Sequence, residues 1–220
     1  MILPVPFYAN TEDNTHCFQA VLCMVLRYFE PSSEFCFDDL DQISGKEFGK
    51  WTWPMCGLQW LHDRGYEVKS VEIFNYVEFA EQGVEYIKKL YGPEVAHVQE
   101  IHSSFEKEQL RARSFATSGL WENRLPTIAD VRRFVDEGYL QMINVNAQTL
   151  DEIEGYSGHT VLVVGYDDQQ VILHDPGLPS RPFRRVATRL FERAWAYPDT
   201  LACNTVLIRP GTKMKNHSIE

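Results

Sequence analysis

Asn14-Thr15-His16-Cys17-Phe18-Gln19-Ala20-Val21-Leu22-Cys23-Met24-Val25-Leu26-Arg27-Tyr28-Phe29 is the stretch on which the fold turns. A polar loop, Asn10 to Thr15, leads into it, and from Cys17 to Phe29 only Gln19 and Arg27 are strongly polar. Thirteen residues exceed an ordinary strand, so the pattern predicts a helix. It is apolar on nearly every side and is therefore expected to be buried. Asn14 or Thr15 is the expected cap, and Pro31 ends the run.

Outward from this helix the pattern alternates. A short helix is expected over Phe37 to Ile43 and another over Met55 to Asp63, stopped by Gly65. Tyr66 to Phe74 reads as a strand. Residues 76–118 are rich in Glu, Lys, Arg and Gln with apolar residues at helical spacing. They predict a helical insert of two amphipathic helices broken near Gly92-Pro93. Thr127 with Asp130 is a capping box opening a helix that Gly138 ends. Tyr139 to Val145 is a strand. Thr160 to Gly165 and Val171 to His174 form a hairpin around Asp167-Asp168. A last helix, Ala187 to Ala196, and a last strand, Cys203 to Ile208, close the pattern, and the polar tail over 211–220 is expected to fray. No shift in composition splits the chain, so residues 1–220 are read as a single domain.

Composition bounds the function. The 220 residues are 44% apolar and 24% charged, with 13 Phe, 10 Tyr and 5 Trp, which excludes a solvated coil. Thirty-one acidic residues against 21 basic ones argue against nucleic acid as a partner. No apolar run approaches the length of a membrane helix, and Met1 to Pro6 lacks a basic signal-peptide start. The five cysteines lack CxxC spacing, so a reducing cytoplasm is the expected home and one cysteine is free to be a chemical group.

Cys17, His159 and Asp175 carry that chemistry best. A helix N-terminus favours the thiolate, which is the reactive form of cysteine. His159 opens an apolar strand and Asp175 ends the next one. A turn at Asp167-Asp168 sets the two nearly opposite, within reach of a hydrogen bond that fixes the imidazole. Cys23, Cys36, Cys56 and Cys203 read as small buried hydrophobes. His174 is expected on the other face of its strand and His16 as a loop histidine, while Trp51, Trp53 and Trp60 read as core or cleft wall. His97 and His102 lack metal-ligand spacing, and no glycine-rich phosphate loop occurs, so neither a metal nor a cofactor is expected.

Val5-Pro6-Phe7-Tyr8-Ala9-Asn10, Asn14-Thr15-His16-Cys17 and Met24 to Phe29 resemble the opening of the papain-like cysteine peptidases that remove double-glycine leader peptides from bacteriocins, and their stand-alone relatives. Gly158-His159-Thr160 through Asp167, and His174-Asp175-Pro176-Gly177, are similar to that family's histidine and aspartate motifs. The resemblance implies a papain-like α+β fold with a central helix against an antiparallel sheet. It also implies Cys17 as nucleophile, His159 as base and later acid, Asp175 as its orienter, and Asn10 as an oxyanion donor. The chain departs from the family at two places. Asn10 stands where Gln is usual, and Phe18 follows the cysteine where Gly is usual, so a ring is expected to narrow the cleft.

The resulting expectation is a cysteine hydrolase acting on a peptide or small amide through an acyl-enzyme. Two alternatives stay open from sequence: an acyltransferase using the same triad, and a catalytically degenerate binding protein of the same fold. The insert over 76–118 is expected beside the cleft.

Overall fold

The computed structural model describes residues 1–212. The expected frayed tail lies outside them from residue 213 onward. The predicted buried helix is α1 (Cys17–Phe29), with Phe18 through Leu26 all buried. It is followed by α2 (Phe37–Ser44), α3 (Met55–Asp63) and β1 (Tyr66–Glu72). The insert holds three helices rather than two: α4 (Tyr76–Gln82), α5 (Val84–His102) and α6 (Phe105–Phe115). The expected break falls inside α5, where Gly92 leaves helical geometry (φ 85°, ψ 168°) ahead of Pro93.

The second half runs β2 (Trp121–Asn123), α7 (Ile128–Asp136), β3 (Leu140–Asn146), α8 (Ala147–Leu150), β4 (Gly158–Tyr166), β5 (Gln170–Asp175), β6 (Arg181–Ala187), α9 (Thr188–Trp195) and β7 (Asn204–Pro210). Thr127 and Asp130 form the predicted capping box at the start of α7. Among the described residues the strands make one sheet in the order β2-β1-β7-β3-β4-β5-β6, parallel only between β1 and β2.

Helices cover both faces of this sheet. On one face α1 lies against Leu140, Leu162, Val164 and Ile208, and its far side is covered by Leu40, Leu58 and Leu61 from α2 and α3. On the other, Val131, Val135 and Phe191 from α7 and α9 pack on Val161, Val163 and Leu173. This explains the unbroken apolar run Val161-Leu162-Val163-Val164: a strand covered on both faces has no reason to alternate.

The hairpin that carries His159 and Asp175 contains a β-bulge. Near the turn Tyr166 faces Val171 and Gly165 faces Ile172, but beyond it Val163 faces Leu173 and Leu162 faces His174. One extra residue has entered β4. The N-terminal segment runs alongside. Leu3 donates its N–H to Val164 O at 2.7 Å, and Ile2 bridges to Gly165. A Cβ on Gly165 would lie 2.3 Å from Met1 O, so glycine is required for that close approach.

Candidate active site

Cys17 is the first residue of α1 and is half-buried. The N-cap is His16, not Asn14 or Thr15, and no side chain caps the helix. Asn14 instead takes a left-handed backbone (φ 56°), a conformation Asn tolerates well. The first-turn N–H groups of α1 are therefore not occupied by a capping side chain.

His159 and Asp175 do meet, though not as directly opposite residues. Continued by one step, the register beyond the bulge sets Asp175 opposite Val161, two positions from His159 and on the same face. Without the extra residue Asp175 would stand opposite Leu162, on the other face of the sheet. The bulge thus decides whether the pair exists. His159 Nε2 lies 2.7 Å from Asp175 Oδ1, and the ring shares the cleft with the Cys17 thiol, on which it acts as the main stabilising partner of the thiolate. With Nε2 taken by the carboxylate, Nδ1 is the ring nitrogen left to exchange a proton with the thiol.

The charges are mutually supporting. Burial works against a thiolate at Cys17, but the hydrogen bond and charge of His159, with the Thr160 N–H, outweigh it and hold the thiol below its ordinary value. Burial also works against an imidazolium at His159; Asp175 and Cys17 outweigh it and raise that group. Burial would lift Asp175, yet His159, Arg184 and the Gly177 N–H hold its carboxyl well below the usual range. Arg184 was not anticipated. Its Nη1 reaches Asp175 Oδ2 at 2.7 Å, and its Nη2 reaches Leu150 O and Asp151 Oδ1, each at 2.6 Å. It lies on β6, a polar edge strand with Pro182 and three arginines that shows no strand periodicity in sequence.

Asn10 is not brought to this cleft. Its Oδ1 accepts from the Thr11 and His16 N–H groups, and its Nδ2 donates to Asn14 Oδ1 at 2.9 Å. Asn14, whose Oδ1 accepts from Asn10, lines the cleft together with Cys17 and His159.

Phe18 does not narrow the cleft, contrary to expectation. It is 3% exposed and packs in the core against α3, where a Cβ on Gly57 would lie 3.0 Å from its ring. The large residue after Cys17 is matched by a missing side chain on the facing helix. His174 behaves as expected: it faces away from Asp175's side, Nε2 donating to Val5 O and Nδ1 accepting from Phe183 N. His16 is tied to Thr11 and Asp41. Cys23 and Cys203 are buried and Cys56 partly so, but Cys36 is exposed, because it serves as the N-cap of α2, bonded to Asp39.

Two cavities meet at Cys17, Trp51 and Gly158. The polar cleft of ≈100 Å³ holds Asn14, His159, Asp175, Arg181 and Arg184. The second, of ≈160 Å³, is walled by aromatic residues, with Glu72 among its lining. Trp51 and Trp53 line this second cavity, whereas Trp60 lines neither. One wall comes from the insert: Ile87, Tyr91, Val95 and Gln99 recur every fourth residue along α5.

The profile of the Peptidase_C39 like family matches residues 2–202. No curated protein sequence matches the chain. Among solved structures, it is similar to the peptidase domain of Streptococcus ComA, a bi-functional ABC transporter involved in a quorum sensing pathway. That match has 15% identity and a TM-score of 0.51, over 93% of this chain and 97% of that one. It is also similar to a double glycine motif protease from an AMS/PCAT transporter, solved with its leader peptide (14% identity, TM-score 0.49, 95% and 94% covered). A candidate C39-like peptidase from Bacillus anthracis gives 17% identity and a TM-score of 0.47, with 96% and 98% covered. Among the described residues no helix is long and apolar enough to cross a membrane. With nearly its whole length matched by the family profile and a papain-like α+β sheet beneath Cys17, the chain belongs to the Peptidase_C39 like family and is a cysteine peptidase-like hydrolase.

Proposed function

We propose that this chain cleaves an amide bond in a peptide or small amide through a Cys17 acyl-enzyme. The observation that carries the reading is the position of His159, between the Asp175 carboxylate at 2.7 Å and the Cys17 thiol. The Cys17 thiolate attacks the carbonyl carbon. The His159 imidazolium gives its proton to the leaving nitrogen, the carbon–nitrogen bond breaks, and a thioester remains. His159, now neutral, takes a proton from water as the water attacks the thioester, and the acid product leaves with the thiolate restored. Asp175 holds the ring and stabilises its charged form throughout, itself held ionised by Arg184.

The oxyanion is met by the Cys17 N–H and by Asn14 Nδ2, with Asn10 positioning Asn14 through the bond to its carbonyl oxygen. In this reading Asn14 rather than Asn10 carries the amide donor, supported by its place in the cleft beside Cys17.

The test needs no substrate. Alkylation of Cys17 by iodoacetamide is followed against pH in the native protein and in His159→Ala. Fast labelling well below the ~8.5 pKa of a free thiol, lost in the variant, is the expected result. Slow labelling with ordinary pH dependence in both proteins overturns the proposal.

A further inference from the structure

The aromatic cavity contains a feature that peptide-bond chemistry does not use. Glu72 ends β1 and lines the cavity. Its Oε1 accepts from Ser70 Oγ at 2.5 Å and from Tyr76 Oη at 2.7 Å. Its Oε2 takes no hydrogen bond among the described residues, and no Lys, Arg or His among them forms an ion pair with it. The buried carboxylates Asp175 and Glu108 each have such a partner, Arg184 at 2.7 Å and Arg111 at 2.6 Å, whereas the half-buried Glu72 has none among the described residues. Burial pushes the Glu72 carboxyl up, the cost of leaving a negative charge there unpaired.

The surroundings are suited to a cation. Trp53, Phe74, Tyr76, Tyr91, Tyr156 and Tyr197 contribute to the lining, and the faces of such rings attract positive charge. The Tyr91 hydroxyl has no hydrogen bond among the described residues, and burial followed by the charge of Glu72 are the largest influences on it. Tyr91 and Glu72 line the same cavity, so a second acceptor is available there. A cavity of about 150 Å³ holds a benzene-sized group, so the ≈160 Å³ here admits a short alkyl chain with its ammonium head. The same cavity is lined by Cys17, so a molecule whose carbonyl faces the thiolate can extend an arm into it.

We propose that this cavity is the binding site for a primary ammonium carried on an alkyl arm of the substrate, anchored on Glu72 and enclosed by the aromatic walls. The ammonium supplies the donors that Glu72 Oε2 and Tyr91 Oη lack, and the carboxylate gains its missing counter-charge. The assignment of the arm to a substrate rests on the proposed Cys17 chemistry; the binding of the cation does not.

The probe is n-butylammonium, compared with n-butanol and butyrate, titrated against tryptophan fluorescence from Trp51, Trp53 and Trp195 in the cavity lining. The titration is repeated in Cys17→Ser, so an inert thiol and an empty cation site give different results. Butylammonium is expected to bind roughly tenfold more tightly than butanol, the size of one charge-assisted contact, and butyrate not at all. Glu72→Gln should bring butylammonium to within about twofold of butanol. Equal affinity for butanol and butylammonium in the native protein overturns the proposal, as does a preference that survives Glu72→Gln. If Glu72→Gln does not fold, Glu72→Asp withdraws the carboxylate by one methylene. It must weaken butylammonium while leaving butanol unchanged, and failure to do so also overturns the assignment.

Discussion

On one side of Cys17 the polar cleft carries its charges in pairs, Asp175 with His159 and Arg184; on the other, the aromatic cavity holds Glu72 with no counter-charge among the described residues. Burial acts on both carboxyls in the same direction. In Asp175 partners reverse it and the group is held down, whereas in Glu72 nothing but hydroxyls opposes it and the group is pushed up. Depth alone therefore does not set the state of a buried acid. The number and charge of its neighbours do, and here they separate a residue that is complete within the fold from one completed by something that enters.

The comparison breaks first at His159. His159→Ala removes the base from the paired side, and turnover is expected to fall by about four orders of magnitude or more, the scale of triad knock-outs. A cation site on the other side of Cys17 should be untouched, so butylammonium binding read by fluorescence checks that the two sides are independent.

Asn14→Ala sharpens the polar side. Loss of one oxyanion donor costs ~10²–10³ in kcat, with KM little changed. Asn10→Ala should cost less, because it acts through Asn14. Steady-state kinetics on both variants, together with the double variant, measure the dependence. If Asn10→Ala costs more than Asn14→Ala, the roles are reversed.

Arg184→Gln tests the pairing itself. The folded Asp175 carboxyl lies below its unfolded value of about 3.9. Its contribution to stability is therefore present above that value and lost as pH falls through the folded one. Without Arg184 the folded value moves up toward the unfolded one. Acid unfolding should then begin at a higher pH, with a loss of roughly 1–3 kcal/mol near neutrality. Thermal melts across the acid limb report both.

The smallest effect lies away from either cavity. Replacing glycine by alanine within a helix ordinarily gains up to about 1 kcal/mol. Gly57→Ala should instead lose about 1–2 kcal/mol, because the new Cβ meets the Phe18 ring at 3.0 Å. Phe18→Leu in the same chain should recover most of it, as chemical denaturation would show.

Much of this is legible in the sequence alone. Helices α1 and α3 fall on the predicted residues because their apolar runs and stops are unambiguous, and the Thr127–Asp130 box marks α7 to the residue. Strands β2 and β6 were missed. One is three residues long, and the other is an edge strand whose arginines and proline suit solvent and salt bridges rather than alternation. Cys17, His159 and Asp175 stood out through their local motifs. Arg184 did not, since a basic residue on an exposed edge carries no mark of the carboxylate it reaches. Asn14 read as a helix cap, which is what its residue type most often does. Glu72 occupies an ordinary alternating place in a strand, and only the convergence of β1, α4, α5 and the segment after α9 reveals what surrounds it.

The bulge at Val163–Gly165 gives the site an arithmetic character. Substitutions in the hairpin alter its fit by degrees, but a change of length by one residue exchanges the two faces of the strand beyond it. Deleting a residue between His159 and Asp175 would carry the carboxylate through the sheet into the space under α1, while adding a second restores the original side at a new offset. Chain length across this hairpin is therefore constrained in whole steps of two, and a tolerant-looking loop at Asp167-Asp168 is where a single-codon deletion would do the most damage to chemistry while leaving the remaining strands in place.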